Sequence, residues 1–355
     1  MSKVYFYEFS TETQDDLVQK NLKKVFNEAG LQDTIGKHDL SAVKLHIGER
    51  GLNTYMSPVW IETIVRKIKA EGAKPYLSDT NVLYKSDRSN AVDHLHLAKD
   101  HGFTIENTGA PMIIADGITG NNEEEIEINA PLNESVALAT DYLTTDSIIV
   151  ASHVTGHLAT GFGSTIKNIG MGMSSRKGKL VQHSQSKPEI NKAQCTTCGK
   201  CVEWCPEDAI TLYDDYAEID EAKCIGCGEC VAVCRFNAVD FKWDSSAEIL
   251  QKQIAEHALG IVKQKEDSIG YITFMVNMTE DCDCYGEEAE KIIEDVGVVA
   301  GKDPVALDKA VLDLTEERSN ESISEAAYPN IDSNVILEYS EEIGLGELDY
   351  DIVEI

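Results

Sequence analysis

The feature that most constrains this chain is a doubled run of cysteines. Cys195, Cys198, Cys201 and Cys205 follow the spacing C-x2-C-x2-C-x3-C, with Pro206 next. The same spacing returns at Cys224, Cys227, Cys230 and Cys234, at a constant offset of 29 residues (195 to 224, 205 to 234). Ala209-Ile210 and Ala238-Val239 repeat at that offset, so the segment is an internal duplication. Three thiolates in one tight loop wrap three irons of a cubane. The fourth cysteine opens a short helix aimed at the other cluster, so ligation crosses over. The expected sets are Cys195, Cys198, Cys201 and Cys234 for one [4Fe–4S] cluster, and Cys224, Cys227, Cys230 and Cys205 for the other. Gly199, Gly226 and Gly228 let backbone N–H groups approach the sulfurs. Arg235 stands where a second proline would match Pro206. Structural zinc sites use paired C-x2-C units separated by a longer loop, and two consecutive quartets do not follow that pattern.

The rest of the chain must form something larger. At 355 residues it exceeds what one small core serves. The first part alternates strands and helices. Residues 42–47 alternate polar and apolar side chains, as a half-buried strand does. Ser57 and Pro58 supply an N-cap and a first-turn proline, and Ile61, Ile64, Val65 and Ile68 share a face of the helix that follows. Further strands are expected at 75–79, near Phe103–Ile105 and at 147–151, with a helix from about Ala91 to Gly102. A polar linker at 184–188 precedes the cysteine block. After Asp244 a helix (247–259), a strand (271–276) and a helix opened by Asp303-Pro304 follow. Val335, Ile336, Leu337 and Tyr339 mark a docked helix in the acidic C-terminal stretch. The expected architecture is α/β, a largely parallel sheet with helices on its faces. Its parts, residues 1–187 and 245–355, flank an inserted small α+β module at 188–244.

Charge excludes several functions. Lys plus Arg is 31 against 62 Asp plus Glu, a net charge of −31. Such a surface repels nucleic-acid phosphates and anionic lipid. No apolar stretch is long enough to span a bilayer, and the N-terminus lacks a secretory pattern, so a cytoplasmic location is expected. Ten cysteines in a reducing compartment read as ligands or reactive thiols.

The cysteine block looks like a two-cluster bacterial ferredoxin. The surrounding chain resembles the family called domain of unknown function number 362. The matching stretches are 295–308, from Asp295 to Asp308, Thr165-Ile166-Lys167-Asn168, and Asp281-Cys282-Asp283-Cys284. The resemblance implies an α/β domain interrupted by ferredoxin and supplies no substrate or reaction.

A second site is expected outside the cysteine block. His153 and His157 follow the apolar strand at 147–151, and ligands bind beyond the C-terminal strand ends of open α/β sheets. Imidazoles there would ligate a metal or move a proton. The glycine-rich run 159–168 leads to Lys167, suited to a phosphate or carboxylate. It is not a Walker A sequence, and no dinucleotide-binding glycine fingerprint occurs. Lys44 and His46 share one face of their strand, with Asp79 and Asn81 at the end of the next. His94, His96 and His101 read as packing or surface residues of a helix. Cys282 and Cys284, between Asp281 and Asp283, read as metal ligands, as partial ligation of a third cluster, or as a redox-active thiol pair; the plain alternative is two reduced thiols in an acidic turn.

These features together read as an iron–sulfur oxidoreductase or reductive activator of anaerobic metabolism. Electrons would pass from the clusters to a cleft where His153, His157, Lys167 and Cys282 converge. Its partners would be a redox protein and a small-molecule substrate. Two other readings stand beside it: an electron carrier or assembly protein whose α/β domain docks a partner, and a non-redox enzyme with structural or sensing clusters.

Overall fold

The computed structural model describes residues 1–183, 187–224, 228–236, 238–241 and 246–355. Cys227, Gly226, the linker residues 184–186 and the boundary at Asp244 lie outside the described residues.

Eight strands form the main sheet. They are β1 (Ser2–Glu8), β2 (Leu40–Lys44), β3 (Lys74–Asp79), β4 (Met112–Ile114), β5 (Ser147–His153), β6 (Ile269–Met275), β7 (Gly297–Gly301) and β8 (Tyr350–Glu354). In space they run β8-β1-β7-β6-β5-β2-β3-β4. Five neighbouring pairs are parallel, and only the two pairs made by β7 are antiparallel. The fold is therefore α/β with a mixed, mostly parallel sheet. Strands from both sides of the cysteine block meet at its centre, where β5 pairs with β6 from Ile148–Ile269 to His153–Phe274.

Both central strands are buried along all seven residues, which is why each reads as a continuous apolar run. Their side chains alternate between two cores. Ile149, Ala151, Ile272 and Phe274 pack under α1 (Asp15–Glu28), α2 (Pro58–Ala70) and α3 (Ala91–Asp100). Ile148, Val150 and Tyr271 pack on the opposite face, under α4 (Thr165–Gly170), α6 (Ala247–Lys265), α7 (Pro304–Ser319) and α8 (Asn334–Glu342). The helix α5 (Arg176–His183) lies between α4 and the cysteine block.

Local signals set the helix starts. Ser57 accepts a hydrogen bond from the Val59 N–H, Asn90 caps α3, and Asp303 accepts from the N–H groups of Val305 and Ala306 ahead of α7. In α8, Ile336, Leu337 and Tyr339 are buried, as the C-terminal pattern predicts. One expected strand is absent. Residues 103–105 do not pair; Ile105–Thr108 forms a single helical turn capped by Thr104 and closed by left-handed Gly109. Phe103 is buried in the α1–α3 core from a loop, so its apolar character marks packing and not a strand. The sheet edge is taken instead by β4.

Candidate functional site

Beyond the C-terminal ends of β2, β3, β5 and β6 lies a cavity of about 720 Å³. It sits where the strand order reverses: β3 and β4 extend from β2 in one direction, β5 and β6 in the other. Loops leaving such a point part in opposite directions and leave a crevice. Lys44, His46, Asp79, His153, His157, Lys167, Cys282 and Cys284 all line it. Asn81 does not; its side chain and backbone N–H bond Asp116. His94 is fully buried in α3, with Nε2 3.5 Å from Asp79, and His101 stacks on Tyr55.

Asp79 organises one wall. Its carboxylate takes Lys44 Nζ at 3.1 Å and Arg88 Nη2 at 2.9 Å, all nearly inaccessible to solvent. Burial opposes its ionisation, yet the two cations hold its pKa well below the ordinary value. Burial likewise lowers Lys44, against the pull of Asp79. Lys44 also donates to Asn168 Oδ1 at 2.7 Å, which fastens β2 to α4.

The sequence placed His153 among ligands or proton carriers. Both its nitrogens are committed: Nδ1 lies 2.8 Å from Asp283 and Nε2 2.7 Å from the Val276 carbonyl. Two acceptors require two N–H groups, so the ring is an imidazolium that fixes the 282–284 loop. It has no nitrogen left for a metal or a substrate. Burial alone would lower its pKa, but Asp283 and the carbonyl raise it above 6.5. Asp283, which burial would raise, is drawn below 3.8 by His153.

A pH prediction follows. A raised imidazole stabilises the fold fully below its unfolded pKa and loses that contribution as pH rises through the folded value. A lowered carboxylate contributes above its unfolded pKa and loses that as pH falls through the folded value. The stability gap between the native chain and Asp283→Asn is therefore expected to be widest at about pH 5–6 and narrower toward pH 9. Urea midpoints across that range check this; a gap that widens toward pH 9 contradicts the ion pair.

His157 accepts hydrogen bonds at Nδ1 from the N–H of Thr160 at 3.1 Å. Burial and nearby Lys167 hold its pKa well below 6.5, so it is neutral. Gly156 precedes it because a Cβ there would fall 2.0 Å from the Glu280 carbonyl oxygen, so the two loops can touch only at a glycine. This contact brings the cysteines to the cavity.

Cys284 Sγ lies 3.7 Å from His46 Nε2, which also stands 2.6 Å from Arg88 Nη1. The Cys282 thiol hydrogen-bonds Cys284. That bond first, then Lys167 and His46, hold the Cys284 pKa well below 9.0 against burial. The same bond, with burial, pushes Cys282 well above it. Lys167 has no carboxylate partner among the described residues. Burial works against its charge, but the two sulfurs keep its pKa raised. Among the described residues, no three His, Cys, Asp or Glu side chains sit close enough to share a single metal ion.

Sequence reasoning missed Arg88, Glu49, Tyr84, Lys179 and His183, which also line the cavity. Lys179 and His183 are spaced i, i+4 on α5, a signal available in the sequence. The 80–90 loop had no such signal.

In the cysteine block, Cys195, Cys198, Cys201 and Cys234 line one small pocket, and Cys205, Cys224 and Cys230 another. The duplication is visible in detail. Gly199 and Gly228 adopt φ near +75° and +78°, each just before a short helix. The N–H of Ala209 donates to Cys205 Sγ at 3.2 Å, and that of Ala238 to Cys234 Sγ at 3.3 Å. Among the described residues, four thiols around one pocket and three around the other, with N–H donors on Cys205 and Cys234, are a donor set that fits a cubane. The side chains of Leu180 and Leu83 pack with Cys230 and Val231.

The two α/β stretches noted in the sequence are joined physically. Asp308 on α7 accepts the N–H groups of Thr165 and Ile166, both at 2.9 Å, and so positions the helix that carries Lys167. Asp295 accepts from Asn277 N–H at 2.9 Å and from Thr11.

Among solved structures, the chain is similar to the lactate racemase apoprotein from Thermoanaerobacterium thermosaccharolyticum, at 13% identity and TM-score 0.43, covering 85% of this chain and 54% of that one. It is also similar to a protein from Thermotoga maritima, at 10% identity and TM-score 0.44, covering 95% of this chain and 61% of that one. The chain thus spans only about half to three-fifths of the length of these proteins. No curated protein matches it. No described helix is long and apolar enough to cross a membrane. A family model described as "Domain of unknown function (DUF362)" matches residues 42–313, more than half of the chain, and the chain belongs to that family.

Proposed function

We propose that the chain is an iron–sulfur electron-transfer protein that delivers electrons to the cleft of its α/β domain. Cys195, Cys198, Cys201 and Cys234 would hold one [4Fe–4S] cluster; Cys205, Cys224, Cys227 and Cys230 would hold the other. When bound, such clusters supply one-electron redox chemistry.

The observation that carries this reading is the position of α5. Lys179 and His183 of this helix line the cavity. Leu180, next to Lys179 on the same helix, meets the loop of the second cysteine set, where a Cβ on Gly228 would fall 2.5 Å from Leu180 Cδ2. One helix, about 10 Å across, is the shared wall of the two sites. The first set faces outward: its pocket is lined by Leu212 and Phe236, both exposed. Trp204 is also exposed on this module. That surface suits a redox protein partner, and it is the feature that favours the carrier reading as the second choice. A small molecule would occupy the cleft.

The test is metal content. Anaerobically purified protein is expected to hold about eight irons and as much acid-labile sulfide per chain. Dithionite should bleach its visible absorption and raise the electron paramagnetic resonance signal of reduced cubanes. Tetrahedral zinc on these thiols overturns the proposal.

A further inference from the structure

The cleft contains a pair of thiols that its surroundings make unequal. Cys282 and Cys284 are separated by one residue and both line the cavity. Cys284 borders the cavity, with His46 Nε2 3.7 Å from its sulfur and Lys167 across from it. Cys282 lines the cavity too but is the more buried of the two, 6% exposed. One sulfur is thus placed to attack and the other to follow.

The lining charges say what would be attacked. Lys44, Lys85, Arg88, Lys167 and Lys179 line the cavity, against Glu49, Asp79 and Asp283. Asp283 is spent on the His153 imidazolium, and Asp79 is shared by Lys44 and Arg88. Among the described residues, Lys179 donates to neutral oxygens, Thr80 Oγ at 2.7 Å and the Ser174 carbonyl at 2.6 Å. A chain of net charge −31 therefore keeps an excess of positive charge around this cavity, which concentrates anions there. The volume, about 720 Å³, admits a small molecule, and the recessed sulfurs keep a folded protein's disulfide out of reach.

We propose that Cys284 and Cys282 form a dithiol centre that reduces a small, negatively charged disulfide by thiol–disulfide exchange. The Cys284 thiolate attacks one sulfur of the substrate, R–S–S–R. The S–S bond breaks, a Cys284–S–S–R bond forms, and RS⁻ leaves with the electron pair and takes a proton from solvent. Cys282 loses its proton and attacks Cys284 Sγ, expelling the second RS⁻, which is protonated in turn. The protein is oxidised to the Cys282–Cys284 disulfide by two electrons, and the substrate is reduced to two thiols. Lys167 serves both steps. Once Cys284 is consumed its negative charge no longer opposes ionisation of Cys282, and the same cation then favours the second thiolate. The exchange itself needs no cluster. Its place as the acceptor of delivered electrons rests on the function proposed above.

The test uses the full chain, purified anaerobically with its metal content intact, and two probes of similar size and opposite charge: 3,3′-dithiodipropionate and cystamine. A solution thiolate reacts faster with the cationic cystamine. Here the dianion is expected to react about tenfold faster, releasing two thiols per chain and leaving a Cys282–Cys284 disulfide in the peptide map. Cys282→Ser should release one thiol and retain the probe on Cys284, Cys284→Ser should do neither, and Lys167→Met should slow the dianion while leaving the fold's circular dichroism unchanged. Cystamine reacting faster, the probe settling on Cys282, or no reaction at either thiol overturns the proposal. If the disulfide forms as expected but dithionite-reduced protein, freed of excess dithionite, does not reopen it, the dithiol stands and electron delivery to the cleft falls.

Discussion

Asp79→Asn is expected to cost about 3–5 kcal/mol of folding stability, the range for removing one partner of a buried ion pair. Asp79 is 1% exposed and is the anion for both Lys44 and Arg88. Asparagine keeps the volume and one acceptor but leaves two cations buried with one fewer counter-charge. Glu49, whose carboxylate lies 4.0 Å from Arg88 Nη1, is too distant to replace it. The loss should appear as a lower urea midpoint with an unchanged slope. It should also be non-additive: adding Lys44→Met removes one stranded charge, and the double variant is expected to be more stable than Asp79→Asn alone. A loss below about 1 kcal/mol, the range of exposed pairs, would show that water reaches this triad. Because Lys44 also holds Asn168, the double variant should loosen α4 and the loop before it, which hydrogen exchange at residues 159–168 would report.

Cys234→Ser is expected to remove about four irons of eight, and to remove them from the first cysteine run. Cys234 belongs to the second run by sequence, yet it lines the pocket of Cys195, Cys198 and Cys201. Cys205→Ser should do the converse, since Cys205 lines the pocket of Cys224 and Cys230. The two variants should therefore retain different clusters, separable by their reduced resonance spectra. With the first set lost, the exposed end of the proposed electron path is gone, whereas Cys205→Ser removes the set beside α5 and leaves the entry intact. Loss of the Cys224/Cys230 cluster in Cys234→Ser would show that ligation follows the runs and not the pockets.

The sequence by itself determined the elements whose cause is local. The largely apolar run at 147–151 is a central strand, buried on both faces. Ser57-Pro58 and Asp303-Pro304 open helices because capping needs only adjacent residues. The cysteine spacing is likewise local, and it is enough to state the crossed sets as an expectation. His157, Lys167 and the cysteine pair are legible as candidates because each follows a strand or glycine-rich run toward the sheet's ligand-binding end. Tertiary structure decided the rest. Arg88 reaches Asp79 from a loop with no periodicity, so no pattern foretold it. His153 looked reactive in sequence, but whether an imidazole is free depends on acceptors 123 and 130 residues away, Val276 and Asp283. The short turn at Ile105–Thr108 looked extended because an apolar Phe103 carries the same sequence signal whether it packs from a strand or a loop. The inequality of Cys282 and Cys284 has the same origin. Their flanking aspartates are alike in sequence; only the fold sets His46 3.7 Å from the Cys284 sulfur and buries Cys282 the more deeply of the two.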